Sequence, residues 1–318
     1  MKLKVEYVQV NEKYASQAIN LVLDAYNEEK QVVPFLPDRK YFLDSLNELI
    51  RNLFKNGIGI VAICDNNLIG FLCGFEVKEL FGKCKGIYSP LYGHGAIKEH
   101  RKSLYQDLYK HAADIWVKKA CVSHAVTFFA HDVQTINTWF WQGFGLRCVD
   151  ALREGAPIAM SKTDIIIKKA EIGDISKLLK IHRLHNEYYR DSPVFMPNRD
   201  IEPEKDLTEW MCQENHHLWV AYCEEEPLGY MRIAPTAETF VSEHKDVMNI
   251  VGAYVVEKER QYGIGTALLG TIQQWLLENN YPLFGVDFEA INTVGCSFWL
   301  KYFTPYTNSL VRRIDERI

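Results

Sequence analysis

The sequence predicts a mixed α/β (α+β) protein made of two tandem copies of one domain. Three observations lead there: the length, an internal repeat, and a regular succession of strand-like and helix-like segments in each copy. At 318 residues the chain is long for one compact domain and comfortable for two of about 150. VAICDNNLIGFL (61–72) matches VAYCEEEPLGYM (220–231). Val61, Ala62, Cys64 and Gly70 meet Val220, Ala221, Cys223 and Gly229 at one offset, 159. The same offset sets Arg101 on Arg260, Trp116 on Trp275 and Phe144 on Phe303, so one register is expected across about eighty residues. Chance matches would scatter in offset, and two copies are too few for a solenoid. The boundary is expected near REGAPIAMSKTD (153–164), where Gly155, Pro157 and small residues separate a finished domain from a new strand. The expected domains are therefore 1–158 and 159–318.

In the second copy, TDIIIKKA (163–170) reads as a strand. Gly173-Asp174 then opens a helix that Asp174 can cap, with Ile175, Leu178, Leu179 and His182 on one side. A variable stretch follows, containing Pro193, Pro197 and Pro203. HLWVAYCEEEPLGYMRIAP (217–235) reads as a hairpin turning at EEEP, and VMNIVGAYVV (247–256) as a strong β run. Ile264, Ala267, Leu268, Thr271, Ile272, Trp275 and Leu276 then recur at helical spacing. LFGVDFEAIN (283–292) is another strand, and a helix and a last strand close the unit.

Composition narrows the function classes. The chain is 47% hydrophobic and 24% charged, ordinary for a soluble globular protein, and its net charge is −5. With no dense Lys/Arg block, a nucleic-acid partner is not expected. No apolar run approaches the roughly 20 residues of a membrane span. MKLKVEYVQV alternates like a strand and lacks the apolar stretch of a secretion signal, so a cytoplasmic location is expected. Cys64, Cys73, Cys84, Cys121, Cys148, Cys212, Cys223 and Cys296 include no CxxC pair and read as reduced thiols. His216 and His217 are adjacent and cannot share a helix face, and no metal site is expected.

One segment carries chemistry. ERQYGIGTALL (259–269) places Gly263 and Gly265 at the start of a helix, where each glycine costs about 1 kcal/mol relative to alanine. The first amides of a helix have no partner inside it and, with the helix dipole, form an anion site. Glycine removes the side chain that would keep a phosphate away and permits positive φ. The first copy is an internal control: Leu104 and Gln106 occupy the equivalent positions, so the fold pattern does not need the glycines. No GxxxxGK[ST] is present, and Leu268 breaks the longer GxGxxG fingerprint.

VVEKERQYGIGTALL resembles the acetyl-CoA signature R/Q-x-x-G-x-G/A of the GNAT (GCN5-related) N-acetyltransferases, through Arg260, Gly263 and Gly265 after a strand ending at Val255 and Val256. The resemblance covers nearly all of the second copy and, through the repeat, extends to the first. It implies a tandem GNAT protein, each domain a mostly antiparallel mixed sheet flanked by helices. It further implies that the backbone of Gln261, Tyr262, Gly263, Ile264, Gly265 and Thr266 holds the pyrophosphate of acetyl-CoA. Ala253, Tyr254 and Val255 would pair with the pantetheine arm, the thioester would lie where two central strands splay, and Asn292 would contact the co-substrate.

Acetyl transfer to an amine needs a base, because an amine with a pKa near that of lysine (~10.4) arrives protonated. Asp287 and Glu289 are the candidates. They lie two apart on one strand, share a face and can raise each other's pKa; Glu289 is preferred narrowly. Backbone N–H near Val255 would stabilise the attacked carbonyl. The family's acid tyrosine falls at Trp299, which cannot serve, so Tyr302 or Tyr254 would have to substitute, or the thiolate leaves unaided. The first copy, lacking the glycines, is expected to fold but not to bind the co-substrate; His131 and Asp132 lie near the position of the family asparagine. The expected function is acetyl transfer from acetyl-CoA to a primary amine of a small molecule or peptide. The alternative is a CoA-thioester sensor or scaffold without turnover. Segment 185–210 is expected to line the acceptor cleft, and the chain to act as a monomer or homodimer.

Overall fold

The apolar alternation of the first copy becomes a mixed sheet with helices on its faces. A computed structural model describes residues 4–159, 165–197 and 202–318. The first copy runs β1 (Glu6–Gln9), α1 (Ala15–Val32), α2 (Leu43–Asn56), β2 (Ile58–Cys64), β3 (Asn67–Val77), β4 (Gly86–Ser89), β5 (His94–Ala96), α3 (Arg101–Lys118), β6 (Ser123–Phe129), α4 (Val133–Phe140) and β7 (Gly145–Glu154). Antiparallel pairing links β1, β2, β3 and β4, while β4 and β6 are parallel. The β2–β3 hairpin turns through Asp65 and Asn66, both at positive φ, as a two-residue turn requires. Leu104, Leu108, Ala112 and Trp116 on α3 pack with Phe128, Trp139 and Phe144 in one core.

The second copy runs β8 (Ile166–Lys169), α5 (Ile175–Arg190), α6 (Pro203–Met211), β9 (His217–Cys223), β10 (Glu226–Ala234), β11 (Val247–Val255), α7 (Ile264–Glu278), β12 (Leu283–Glu289), α8 (Thr293–Tyr302) and β13 (Thr304–Arg313). β8, β9, β10 and β11 are antiparallel in sequence, and β11 pairs parallel with β12. Asp174 does not cap α5 through its side chain as expected. It lies at the end of a short 3-10 turn, and its carboxylate accepts from the Glu171 amide at 3.0 Å. The hairpin turns at Glu224 and Glu225, and Pro227 falls inside β10 at a register shift. No helix among the described residues is long and apolar enough to cross a membrane, and all eight cysteines are free thiols.

The repeat is real in three dimensions, but its register slips. The offset of 159 relates β2 to β9 and β3 to β10, becomes 160 between β6 and β12, and returns to 159 between β7 and β13. The second copy has one extra residue between Arg260 and α7: the helices end at Lys118 and Glu278, and the turns after them, with Ala120 and Asn280 both at positive φ, are equal in length. Leu104 therefore matches Ile264 rather than Gly263, which the ungapped sequence match conceals. Asp132 and Asn292 are thereby equivalent, and each caps the helix that follows by accepting from an amide three residues on.

By contact the chain does not divide at 158/159. One unit comprises Met1–Asp150, Thr239–Val241 and Pro305–Ile318; the other comprises Ala151–Glu238 and Ser242–Thr304. The first unit thus takes most of β13. That strand pairs antiparallel with β6 from Thr307↔Phe129 to Arg313↔Ser123. Leu310 is fully buried in the first core, the Tyr306 hydroxyl meets Thr239 Oγ1 at 2.7 Å, and Thr307 bonds to Asp150. The physical reason is strand pairing: β13 runs along the edge of β6 and lays Leu310 into the first unit's core.

Candidate active site

The site grows from a break in the second unit's sheet. β10 and β11 pair regularly from Gly229↔Val255 to Arg232↔Gly252, and the next pair is Ile233↔Ile250, so Val251 is an extra residue, a β-bulge. On its other side β11 pairs with β12 only from Val247↔Leu283 to Ile250↔Val286. Beyond that point the strands part, and the main chain of Ala253, Tyr254 and Val255 borders the gap.

The chain then makes a 3-10 turn, Glu257–Glu259, and enters α7 through the glycine segment. Gly263 is the N-cap, at φ +85, and Gln261 stands at φ +70. A left-handed backbone costs an L-residue about 1–2 kcal/mol, which glycine avoids. A Cβ on Gly263 would meet nothing within 4 Å, so no packing demands a glycine there. The first helical bond runs from the Ala267 amide to the Gly263 carbonyl, which leaves the amides of Ile264, Gly265 and Thr266 without a helical partner. Those of Gln261, Tyr262 and Gly263 find no main-chain acceptor among the described residues. Gly265 has a tighter setting, since a Cβ there would stand 3.2 Å from Phe298.

These parts line one cleft of about 1300 Å³ that contains Ala253, Tyr254, Val255, Arg260, Gln261, Tyr262, Gly263, Ile264, Gly265, Thr266, Asn292, Asp287 and Tyr302. The expected main-chain cradle, strand edge and three of the expected side chains therefore share one cavity. Arg260 fixes the mouth: its Nε donates to the Val255 carbonyl at 3.1 Å, and its guanidinium lies 4.6 Å from the Tyr188 ring centre. Tyr188 donates to Asn292 Oδ1 at 2.8 Å, and the same oxygen accepts from the Gly295 amide. Asn292 is thus both a turn-and-cap residue and part of the cleft wall.

Asp287 opens into the cleft but is ringed by protein. This enclosure lifts its pKa to about 6, with the charges of Glu238 and Glu289 adding to the effect. Glu289 stands two residues on and is half-buried, but is not among the residues lining the cleft. Tyr302 meets Thr266 Oγ1 at 2.9 Å in the first turn of α7. Trp299 is buried beside Phe298 and Phe303.

Several contributors carry no motif. Tyr188 and Tyr189 come from the segment expected to line the cleft, and residues 198–201 of that segment lie outside the described residues. Behind them runs a buried chain: His182 Nε2 lies 3.1 Å from Asp206, and the Tyr230 hydroxyl sits 3.1 Å from His182 Nδ1 and 2.6 Å from His185 Nδ1. Only the spacing of His182 and His185 on one helix hinted at it.

The first unit keeps only a smaller hollow at this place, about 320 Å³, lined by Ala96, Ile97, Lys98 and Arg101 and by Asp24 and Glu28. α3 begins at Arg101, so Leu104 and Gln106 lie inside a helix rather than displacing a ligand from a loop. Arg101 repeats the strand bond of Arg260, Nε to the Ala96 carbonyl at 3.3 Å, but its Nη1 bridges Glu28 and Asp132 at 2.8 Å each. His94, equivalent to Ala253, fills the gap between strands: Nε2 donates to the Thr127 carbonyl at 2.7 Å and Nδ1 accepts from Tyr105 at 2.8 Å. His131 pairs with buried Glu29 at 2.6 Å.

Comparison with known proteins agrees with this anatomy. Residues 178–303 match the model of the Acetyltransferase (GNAT) family, a segment that takes in the glycine turn and the cleft. A GCN5-related N-acetyltransferase from Sphaerobacter thermophilus has TM-score 0.61 at 11% identity, over 96% of this chain and 95% of that one. A tandem GNAT protein from the clavulanic acid biosynthesis pathway has TM-score 0.51 at 10% identity, over 98% of both chains. The fold is therefore that of a tandem GNAT protein. No curated protein sequence matches this one.

Proposed function

We propose that the protein is an acyltransferase that moves an acetyl group from acetyl-CoA to a primary amine, with all the chemistry in the second unit. The observation that carries this is the continuity of one cleft, from the bare amides around Gly263, past the parted strands, to the raised carboxyl of Asp287. The cradle fits a diphosphate: consecutive amides point outward at a helix N-terminus, and no side chain stands over Gly263. Arg260 braces the strand end, and the free main-chain edge at Ala253–Val255 suits an extended amide-bearing arm. An amide there also polarises the thioester carbonyl as it gains negative charge.

Asp287 is the favoured base, ahead of Glu289, because it lines the cleft and its pKa lies close to working pH. It takes a proton from the ammonium, directly or through one water; the amine nitrogen attacks the carbonyl carbon; the C–S bond breaks, and the nitrogen gives up its second proton to water or to the departed thiolate. The departing sulfur leaves as a thiolate, whose ordinary pKa of about 8.5 makes it a tolerable leaving group. Tyr302 is engaged with Thr266, near the helix start, which favours unaided departure over protonation by that hydroxyl.

The test is direct. Acetyl-CoA at 100 times its Kd should stabilise the chain by about 2.7 kcal/mol and raise its melting temperature. Free CoA thiol should then appear continuously when the right amine is supplied. Binding without thiol release across a broad amine panel would favour a sensor instead.

A further inference from the structure

Against the cleft wall at Gly252 rests a cation that the transfer chemistry leaves unused, although its own side chain is not among the residues lining the cleft. Arg232 lies on β10 two residues beyond Tyr230, hence on the same face of the sheet, the face where Tyr230 packs with Leu178 and Ile181 of α5 and Leu207 of α6. Opposite it in register is Gly252, which lines the cleft. A Cβ at Gly252 would stand 2.8 Å from Arg232 Nε and 2.9 Å from Nη2. The guanidinium therefore rests across bare backbone at the bulge, with Trp210 below it at 5.1 Å.

Among the described residues no carboxylate forms an ion pair with this guanidinium. Its Nε is buried with no hydrogen-bond partner. His182, His185 and His216 lie within its field and are kept neutral, first by burial and then by Arg232 itself, so they add no second cation. Asp206 is occupied by His182. Tyr189, which lines the cleft, feels the charges of Asp287, Glu289 and Arg232 together. A half-buried guanidinium without a carboxylate is uncommon, because charges taken out of water are normally paired.

We propose that the acceptor amine carries a carboxylate, which docks on Arg232 while its ammonium faces Asp287. This rests on the transferase reading and names its substrate class: amino acids or compounds of the same zwitterionic form. Planar guanidinium and carboxylate match as a two-bond fork, and Gly252 keeps the fork clear of a side chain.

The experiment pairs each amino acid with the amine left after loss of its carboxylate: lysine with cadaverine, histidine with histamine, tryptophan with tryptamine. Thiol release is followed at fixed acetyl-CoA. At least one acid should exceed its amine in kcat/KM by on the order of 10- to 100-fold, the range of a charge-assisted hydrogen bond. Arg232→Met should abolish that preference while the amine rate and acetyl-CoA affinity stay within about twofold. Gly252→Ala, which displaces the guanidinium without removing it, should also abolish the preference, and Arg232→Lys should restore part of it. Retention of the preference in Arg232→Met, equal turnover of acids and amines, or acetylation of no acid would each overturn the proposal while the transferase reading stands. Failure of the parent to bind acetyl-CoA would overturn both.

Discussion

At the residue scale the decisive contrast is between side chains that hold the fold and main chain that holds a ligand. Gly263 needs its left-handed φ but contacts nothing with a Cβ, so Gly263→Leu should keep the fold, at a backbone cost of about 1–2 kcal/mol. Its side chain would occupy the cradle, and calorimetry should find acetyl-CoA binding lost. Asp287→Asn should lower kcat by about 10²–10⁴-fold with little change in acetyl-CoA affinity. The base works deprotonated, so kcat/KM of the parent should fall as pH drops through about 6, the value to which enclosure raises Asp287, and the variant should lack that acidic limb. The glycine segment was legible in the sequence because its signal is local: residue types at fixed spacing before a periodic helix. Choosing between Asp287 and Glu289 was not, because strand alternation assigns both to one face and only the surrounding walls distinguish them. Arg232 was equally hidden. Its importance lies in the glycine opposite and the missing counter-charge, both properties of pairing across strands.

At the element scale the two copies show how one framework is opened or closed. Both keep an arginine whose Nε binds the end of the strand, Arg101 to Ala96 and Arg260 to Val255. In the second unit the rest of that guanidinium lies on Tyr188; in the first it is clasped by Glu28 and Asp132, and His94 fills the gap between strands. The offset of 159 located these equivalences, but within the helix it is wrong by one residue, because a single insertion between Arg260 and α7 is invisible to an ungapped match. The division by contact departs from the expected boundary for a different reason: a linker-like composition marks where the chain is irregular, not where a strand finds its partner. β13 shows the difference. Leu310→Ala should cost about 2–5 kcal/mol and expose residues of the first unit to protease, although Leu310 follows the GNAT-matching segment in sequence. Acetyl-CoA affinity, a property of the second unit, should change little.

At the scale of the whole molecule, buried histidines set the response to acid. Burial lowers His94 and His124 to about 4 and depresses His182 and His185 as well, against an unfolded value near 6.5. Below pH 6.5 the unfolded chain binds protons that the folded chain refuses, so stability falls as pH drops toward 4, by about 2 kcal/mol at pH 5 for each fully buried ring. Asp287 acts in the opposite sense and offsets a part. Melting temperatures between pH 7 and 5 should therefore decline, and a flat profile would contradict the buried neutral rings. The strand that closes the first core has a further consequence for biosynthesis. Tyr306 and Leu310 leave the ribosome only after residues 151–304, so the emerging first unit waits with the β6 edge uncovered and its core unsealed. Such an edge invites wrong partners. Nascent chains stalled before residue 305 should accordingly remain chaperone clients, and emergence of β13 should be the step that frees them.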